Sequence, residues 1–246
     1  MSRTLDYGFA DFSTAQAFLH LATTSFKDDP SLVQELRDKA DTLHKRSVRA
    51  YTSLFDRGIG LMAPKTDAGR VVSNFQPVEW GKGYVEGNAW HHSFPPYAIS
   101  GTSTTGGASS TTNMRGAAVP AVQHIGANGA LIEMYGGKAK LLQKLHELLV
   151  IPSTFRVGSY NQEIHEMTEM RAGAMGQYGH NNQPSHHILY LFALLGDAES
   201  TQRTVREVMA KGYGRDFYAG DEDNGEMVCN KLCPMSYFCS LFLLSI

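Results

Sequence analysis

From residue 12 to residue 55 the apolar positions recur at helical spacing, mostly three or four apart or their sums. Phe12, Ala15, Phe18, Leu19, Ala22 and Phe26 come first, followed by Leu32, Leu36, Leu43, Val48, Tyr51, Leu54 and Phe55. That period lays a stripe along one face of an α-helix, whereas a half-buried strand needs strict alternation. The run is broken once, at Asp28-Asp29-Pro30-Ser31. Pro30 suits the first turn of a helix and Asp29 suits the cap before it, so the break predicts a helical hairpin.

The same period returns at residues 130–135, and at 139–150 through Leu141, Leu142, Leu145, Leu148 and Leu149. It recurs at about 163–177, at 185–195, at 200–211 and from 227 to the end. Strand-like alternation is scarce. An all-α class follows, with paired helices in a layered or toroidal arrangement and the long loops gathered at one rim.

Two stretches interrupt the helices. Residues 56–99 are punctuated by Gly58, Gly60, Pro64, Gly69, Pro77, Gly81, Gly83, Gly87, Pro95 and Pro96, and a loop of that length in a compact chain is more often functional than idle. Residues 100–129 are biased to Ser, Thr and Gly with little to bury, which reads as a flexible insertion. At 246 residues the chain is long enough to bury a sizeable core.

Charge and end sequences narrow the partners. A net charge of -2 gives no electrostatic reason to expect nucleic acid or an anionic membrane surface. The terminal SYFCSLFLLSI is apolar over 11 residues, short of the ~20 that span a bilayer, so no membrane insertion is expected. No cationic stretch leads into an apolar run at the N-terminus, so no signal peptide is visible and the compartment stays open. Ending inside an apolar helix, the chain reads as truncated. Cys229, Cys233 and Cys239 lack a companion histidine or fourth cysteine and read as buried thiols.

Four clusters can carry chemistry, and each also has a plain structural reading. In YVEGNAWHHSF, residues 84–94, Glu86 stands near Trp90, and a carboxyl against apolar rings is kept protonated by desolvation, as a general acid requires. The plain reading is a surface-loop glutamate. In GDEDNGEM, residues 220–227, four acids precede a helix whose dipole tolerates them; the spacing does not fit an EF-hand, since Gly225 is fifth and Leu232 twelfth from Asp221.

In NQEIHEMTEM, residues 161–170, Glu166 and Glu169 are three apart and His165 and Glu169 four apart, so all three can face one point on a helix. The second histidine of a zinc-protease helix is missing, while two carboxylates suit a hard cation such as calcium. A solvated acidic face is the alternative. In GQYGHNNQPSHH, residues 176–187, amides and imidazoles crowd around Pro184 at a helix start. They suit a polyhydroxylated ligand, and equally the satisfied polar groups of a helix start.

The clusters occur together in one order. SRTLDYGFADF (2–12), WGKGYVEGNAWHHSF (80–94), GQYGHNNQPSHH and GDEDNGEM closely resemble successive motifs of glycoside hydrolase family 92, the calcium-dependent exo-α-mannosidases. The resemblance runs from about residue 2 to the C-terminus, apart from the 100–129 tract. It implies part of an (α/α)6 toroid and inverting hydrolysis of terminal α-linked mannose, α-1,2-type, in a mannose-containing glycan, by proteins usually extracytoplasmic or secreted. By position it implies Glu86 as general acid and Asp221 and Asp223 as the pair around the general base. Glu166 and Glu169 become candidates for holding calcium, and Tyr84, Trp90, Gln183 and His187 candidates for contacting sugar.

The departures from the family pattern define a second expectation. Nothing resembles the β-sandwich that normally precedes the toroid, so the missing N-terminal portion of such an enzyme is itself an expected partner. The alternative is a truncated, catalytically inactive fragment that at most binds carbohydrate or a protein partner.

Overall fold

The computed structural model describes residues 1–95, 128–221, 225 and 227. Eight helices are formed by these residues: α1 (Ser2–Thr23), α2 (Pro30–Leu54), α3 (Ala89–His92), α4 (Asn128–Met134), α5 (Lys138–Val150), α6 (His165–Gly173), α7 (Ile188–Leu194) and α8 (Ala198–Gly212). Among the described residues the sheet content is one antiparallel pair, β1 (Phe55–Asp56) with β2 (Leu61–Met62), in the register Phe55 to Met62 and Asp56 to Leu61. The all-α expectation is met. No described helix is long and apolar enough to cross a membrane.

The chain divides into two compact units, each described by itself. The first contains the hairpin of α1 and α2, together with α4. Its boundary is the expected one: Asp29 Oδ1 accepts hydrogen bonds from the backbone N–H of Ser31 and Leu32 at 3.1 and 3.0 Å, and Pro30 opens α2. Two of the unpaired N–H groups of the helix start are thereby satisfied, and Pro30 has none to satisfy. Ala15, Leu19 and Ala40 are buried between the two helices, with Phe18 and Leu43 against them. Arg46 donates to both carboxylate oxygens of Asp11 at 2.9 and 2.6 Å, and the Tyr51 hydroxyl donates to the Leu5 carbonyl.

The second unit holds the remaining helices and the long loop. Leu141, Leu145 and Leu148 form the fully buried stripe of α5, four and three residues apart as the sequence predicts. Ile188, Leu189, Leu191 and Phe192 of α7 and Val208 of α8 are buried as well. A separate cluster of Trp80, Met167 and Met170, with Tyr160 and Ile164 packed on it, ties the long loop to α6.

That tie is made by the backbone. Trp80 N–H donates to the Arg156 carbonyl at 2.9 Å, and Arg156 N–H donates to the Val78 carbonyl at 3.0 Å. Gly158, at φ 55°, runs so close to Trp80 that an added Cβ would lie 2.1 Å from its carbonyl oxygen. Only glycine fits there, and the approach carries the 80–88 loop onto the turn that ends at Tyr160.

Two elements differ in extent from the periodicity. The helix expected over 163–177 stops at Gly173, because Ala174 turns left-handed at φ 49° and the chain makes a bend. The helix expected from Ser185 starts at Ile188, preceded by one 3-10 turn, Gln183–Ser185, with Pro184 inside it. Residues 100–127 of the expected insertion, the three cysteines, Glu222, Asp223 and Glu226 lie outside the described residues.

Candidate active site

Glu86 sits at φ 48°, left-handed for a residue with a side chain, and its peptide is held on both sides. Its N–H donates to the Tyr160 hydroxyl at 2.9 Å, and its carbonyl accepts from Asn182 Nδ2 at 2.8 Å. The loop is secured again next door, where His92 Nε2 and the Val85 carbonyl lie 3.3 Å apart. Burial first pushes His92 down to about 4, so at neutral pH its ring is uncharged and Nε2–H donates. The Glu86 side chain itself is exposed rather than pressed against apolar rings.

The aromatic candidates are turned inward. Tyr84 is buried, its hydroxyl donating to the Met62 carbonyl, and burial raises its pKa. Trp90 is buried beneath Lys144, whose ammonium stands 4.8 Å from the ring centroid. It belongs to the single turn α3, capped by Asn88, whose Oδ1 accepts from Trp90 N–H and whose Nδ2 donates to Gln177 Oε1. Gln177 in turn donates to the carbonyls of Pro152 and Thr154. His187 is buried too, with Nε2 hydrogen-bonded to the Phe94 carbonyl; burial first lowers its pKa to about 4.

The carboxylates of α6 meet the 180s segment. Asn181 Nδ2 donates to Glu169 Oε2 at 3.2 Å and to the Glu166 carbonyl at 3.0 Å. Glu166 is mostly buried, and its Oε2 has no hydrogen-bond partner in the protein. Burial first raises the pKa of Glu169; Asn181 and His165 oppose that, while Asp221 and Glu166 add to it. An unpartnered buried carboxylate oxygen beside a second carboxylate is a donor set that fits a hard cation. Among the described residues no three His, Cys, Asp or Glu side chains are grouped closely enough to hold one.

Asp221 completes the geometry. Its carbonyl accepts from Gln183 Nε2 at 2.7 Å, and its exposed carboxylate lies 3.5 Å from His165 Nε2. His165 stands 3.4 Å from Glu166 as well. Desolvation lowers its pKa, but Glu166, Glu169 and Asp221 together outweigh that and raise it. Gly220 makes the approach possible: at φ 78° an added Cβ would fall 2.2 Å from the Asn181 carbonyl oxygen.

Sequence reasoning named Glu86, Glu166, Glu169, Gln183 and Asp221, and the structure brings all of these segments to residues 181–183. Tyr84, Trp90 and His187 lie below the surface, with the two polar groups spent on backbone carbonyls. Tyr160, Asn181 and Asn182 hold the carboxylate-bearing segments, a role that no local pattern in the sequence marks. The amides were visible in the 176–187 motif, but their partners are 12 to 96 residues away in sequence.

Comparison with known proteins bears on this arrangement. Residues 1–113 and 122–233 match the glycosyl hydrolase family 92 catalytic domain. No curated protein matches the chain. Among solved structures it is similar to the family GH92 inverting mannosidase BT2199 of Bacteroides thetaiotaomicron VPI-5482, at 28% identity and a TM-score of 0.56 over 93% of this chain and 26% of that one. It is also similar to the family GH92 α-mannosidase BT3965 of Bacteroides thetaiotaomicron, at 21% identity and a TM-score of 0.57 over 93% of this chain and 23% of that one. The complex of BT3965 with mannoimidazole gives 20% identity and a TM-score of 0.59, over 91% and 24%. The chain thus spans about a quarter of the length of these relatives. The likeness carries the fold, a part of the helical, toroid-type architecture of these enzymes, and with nearly the whole sequence matched, the chain belongs to glycosyl hydrolase family 92.

Proposed function

We propose that the chain carries the proton donor, the base and the cation-holding carboxylates of an inverting α-mannosidase that removes terminal α-linked mannose, of the α-1,2 type, from a glycan. The observation that supports it is the convergence of the Glu86 loop, the start of α6 and Asp221 on one short segment, residues 181–183. An inverting glycosidase needs a protonated carboxyl at the leaving oxygen and an ionised carboxylate that activates water on the opposite face, about 6.5 to 9.5 Å apart. Glu86, exposed on a loop whose backbone is clamped, is the donor in this reading. Asp221, with Asp223 beyond it, is the base; the polar, solvated position of Asp221 suits an ionised carboxylate.

Glu166 and Glu169 would hold calcium, the unpartnered Glu166 oxygen being the feature that suits it. When bound, such an ion supplies electrostatic grip on sugar hydroxyls and favours the distorted ring. Tyr84, Trp90 and His187 shape the floor of the sugar site through packing, and Gln183 acts at its edge.

The test is release of mannose from α-mannobiosides of each linkage, by this chain and by its Glu86→Gln variant, with and without excess calcium chelator. The expected result is calcium-dependent release, fastest from the α-1,2 disaccharide, falling about 10²- to 10⁴-fold in the variant. Because the replaced side chain is exposed, thermal stability of the variant should match that of the parent. A folded chain that releases no mannose from any linkage overturns the reading and leaves a carbohydrate- or protein-binding role.

A further inference from the structure

The three consecutive amides Asn181, Asn182 and Gln183 each donate to a different element of the site. Asn181 Nδ2 reaches Glu169 Oε2 and the Glu166 carbonyl, Asn182 Nδ2 reaches the Glu86 carbonyl at 2.8 Å, and Gln183 Nε2 reaches the Asp221 carbonyl at 2.7 Å. The partners are 12, 96 and 38 residues away in sequence, so no local turn produces the pattern. We propose that this tripeptide is a positioning hub which fixes the acid loop, the carboxylates of α6 and the base loop relative to one another. The inference rests on the functional reading above.

The hub is itself built to stay still. The Asn182 carbonyl accepts from both N–H and Oγ of Ser185, and Asn182 N–H donates to the Gly179 carbonyl at 3.3 Å. Just before it, His180 is half-buried, hydrogen-bonded through Nδ1 to Tyr178 and through Nε2 to Tyr213, both at 2.8 Å, and stacked on His186 with centroids 4.2 Å apart. An amide donates to a carbonyl without carrying charge, and reaches further from its own backbone than a serine hydroxyl does. A lysine in its place would add a cation beside Glu86 or Asp221, and a carboxylate would repel the carbonyl.

The need for such a device follows from the chemistry. Glu86 is on a left-handed residue of a loop, and Asp221 follows Gly220 in another, so neither carboxylate is held by a helix or sheet of its own. Misplacing a reacting group by about 1 Å costs on the order of 10²-fold in rate. The Glu86 and Asp221 side chains must stay unencumbered to exchange protons, which leaves their backbone carbonyls as the handles, and those are the atoms the amides take.

The experiment is amide hydrogen–deuterium exchange on the full chain and on Asn181→Ala, Asn182→Ala and Gln183→Ala, read by peptide. Asn182→Asp and Gln183→Glu, which keep volume and remove the donor, serve as second variants. Each substitution should speed exchange mainly in its own partner: residues 84–88 for Asn182, 164–169 for Asn181 and 219–221 for Gln183. Mannose release by the Asn181 and Asn182 variants should show kcat reduced about 10- to 100-fold with KM within about twofold, while Gln183, placed at the edge of the sugar site, is judged by exchange alone. Equal acceleration everywhere, or none in the partner segments, overturns the hub. A rise in KM with kcat unchanged overturns it as well, showing that the amides contact sugar. If the parent chain releases no mannose, the functional reading fails separately, and the exchange pattern alone decides the hub.

Discussion

At Gly220 one hydrogen atom decides where a candidate base stands. The left-handed φ of 78° costs a non-glycine residue about 1–2 kcal/mol, and the Cβ would also strike the Asn181 carbonyl oxygen at 2.2 Å. Gly220→Ala should therefore lower stability by about 1–3 kcal/mol in urea unfolding and displace Asp221, seen as loss of mannose release. Glu86 shows the opposite case, a residue in the same region of backbone space that keeps its side chain. Its clamp by Tyr160 and Asn182 is what holds it there. Such strain is tolerated where surrounding hydrogen bonds over-determine the conformation.

Among the elements, the hairpin boundary was fully legible because it is made by neighbours in sequence. Asp29 caps α2 from one residue away, so Asp29→Ala should cost about 1 kcal/mol by thermal melting, with Asp29→Ser restoring most of it. The leucine stripe of α5 was legible for the same reason: its period needs only local geometry. The helix expected from Ser185 was placed too early. There Pro184 and the amides on either side compete for the backbone, and the chain spends those residues on a 3-10 turn before α7 begins. The early end of α6 has a comparable cause, the left-handed Ala174 followed by Gly176.

For the molecule as a whole, the desolvated histidines set an acid limit. Burial is the first cause that lowers His91 to about 3, His92 to about 4, His180 to about 2 and His187 to about 4, against 6.5 unperturbed. In the folded chain these rings stay neutral while the unfolded chain takes up protons below about 6.5. The unfolded state is then favoured progressively: stability is full above pH 6.5 and falls as pH drops toward 4, by up to about 1.4 kcal/mol per pH unit for each ring. Melting temperature between pH 8 and pH 4 should be flat at the upper end and decline below about 6.5; a flat profile down to pH 4 would contradict the burial of these rings.

What the sequence determined by itself was the helical class, the hairpin and its cap, and the four motifs that mark membership of the family. All of these depend on residues within a few positions of each other, where period and capping chemistry act. Tertiary structure decided which side of each motif faces the site. Tyr84, Trp90 and His187, read as sugar contacts, are buried, because their apolar surface gains more from the core than from solvent and the polar atoms of Tyr84 and His187 find backbone carbonyls there. The amides of residues 181–183, which the sequence leaves between ligand contacts and the satisfied polar groups of a helix start, are turned onto the protein's own loops. That choice needs partners from Glu86 to Asp221 assembled in space, and no local pattern in the chain encodes it.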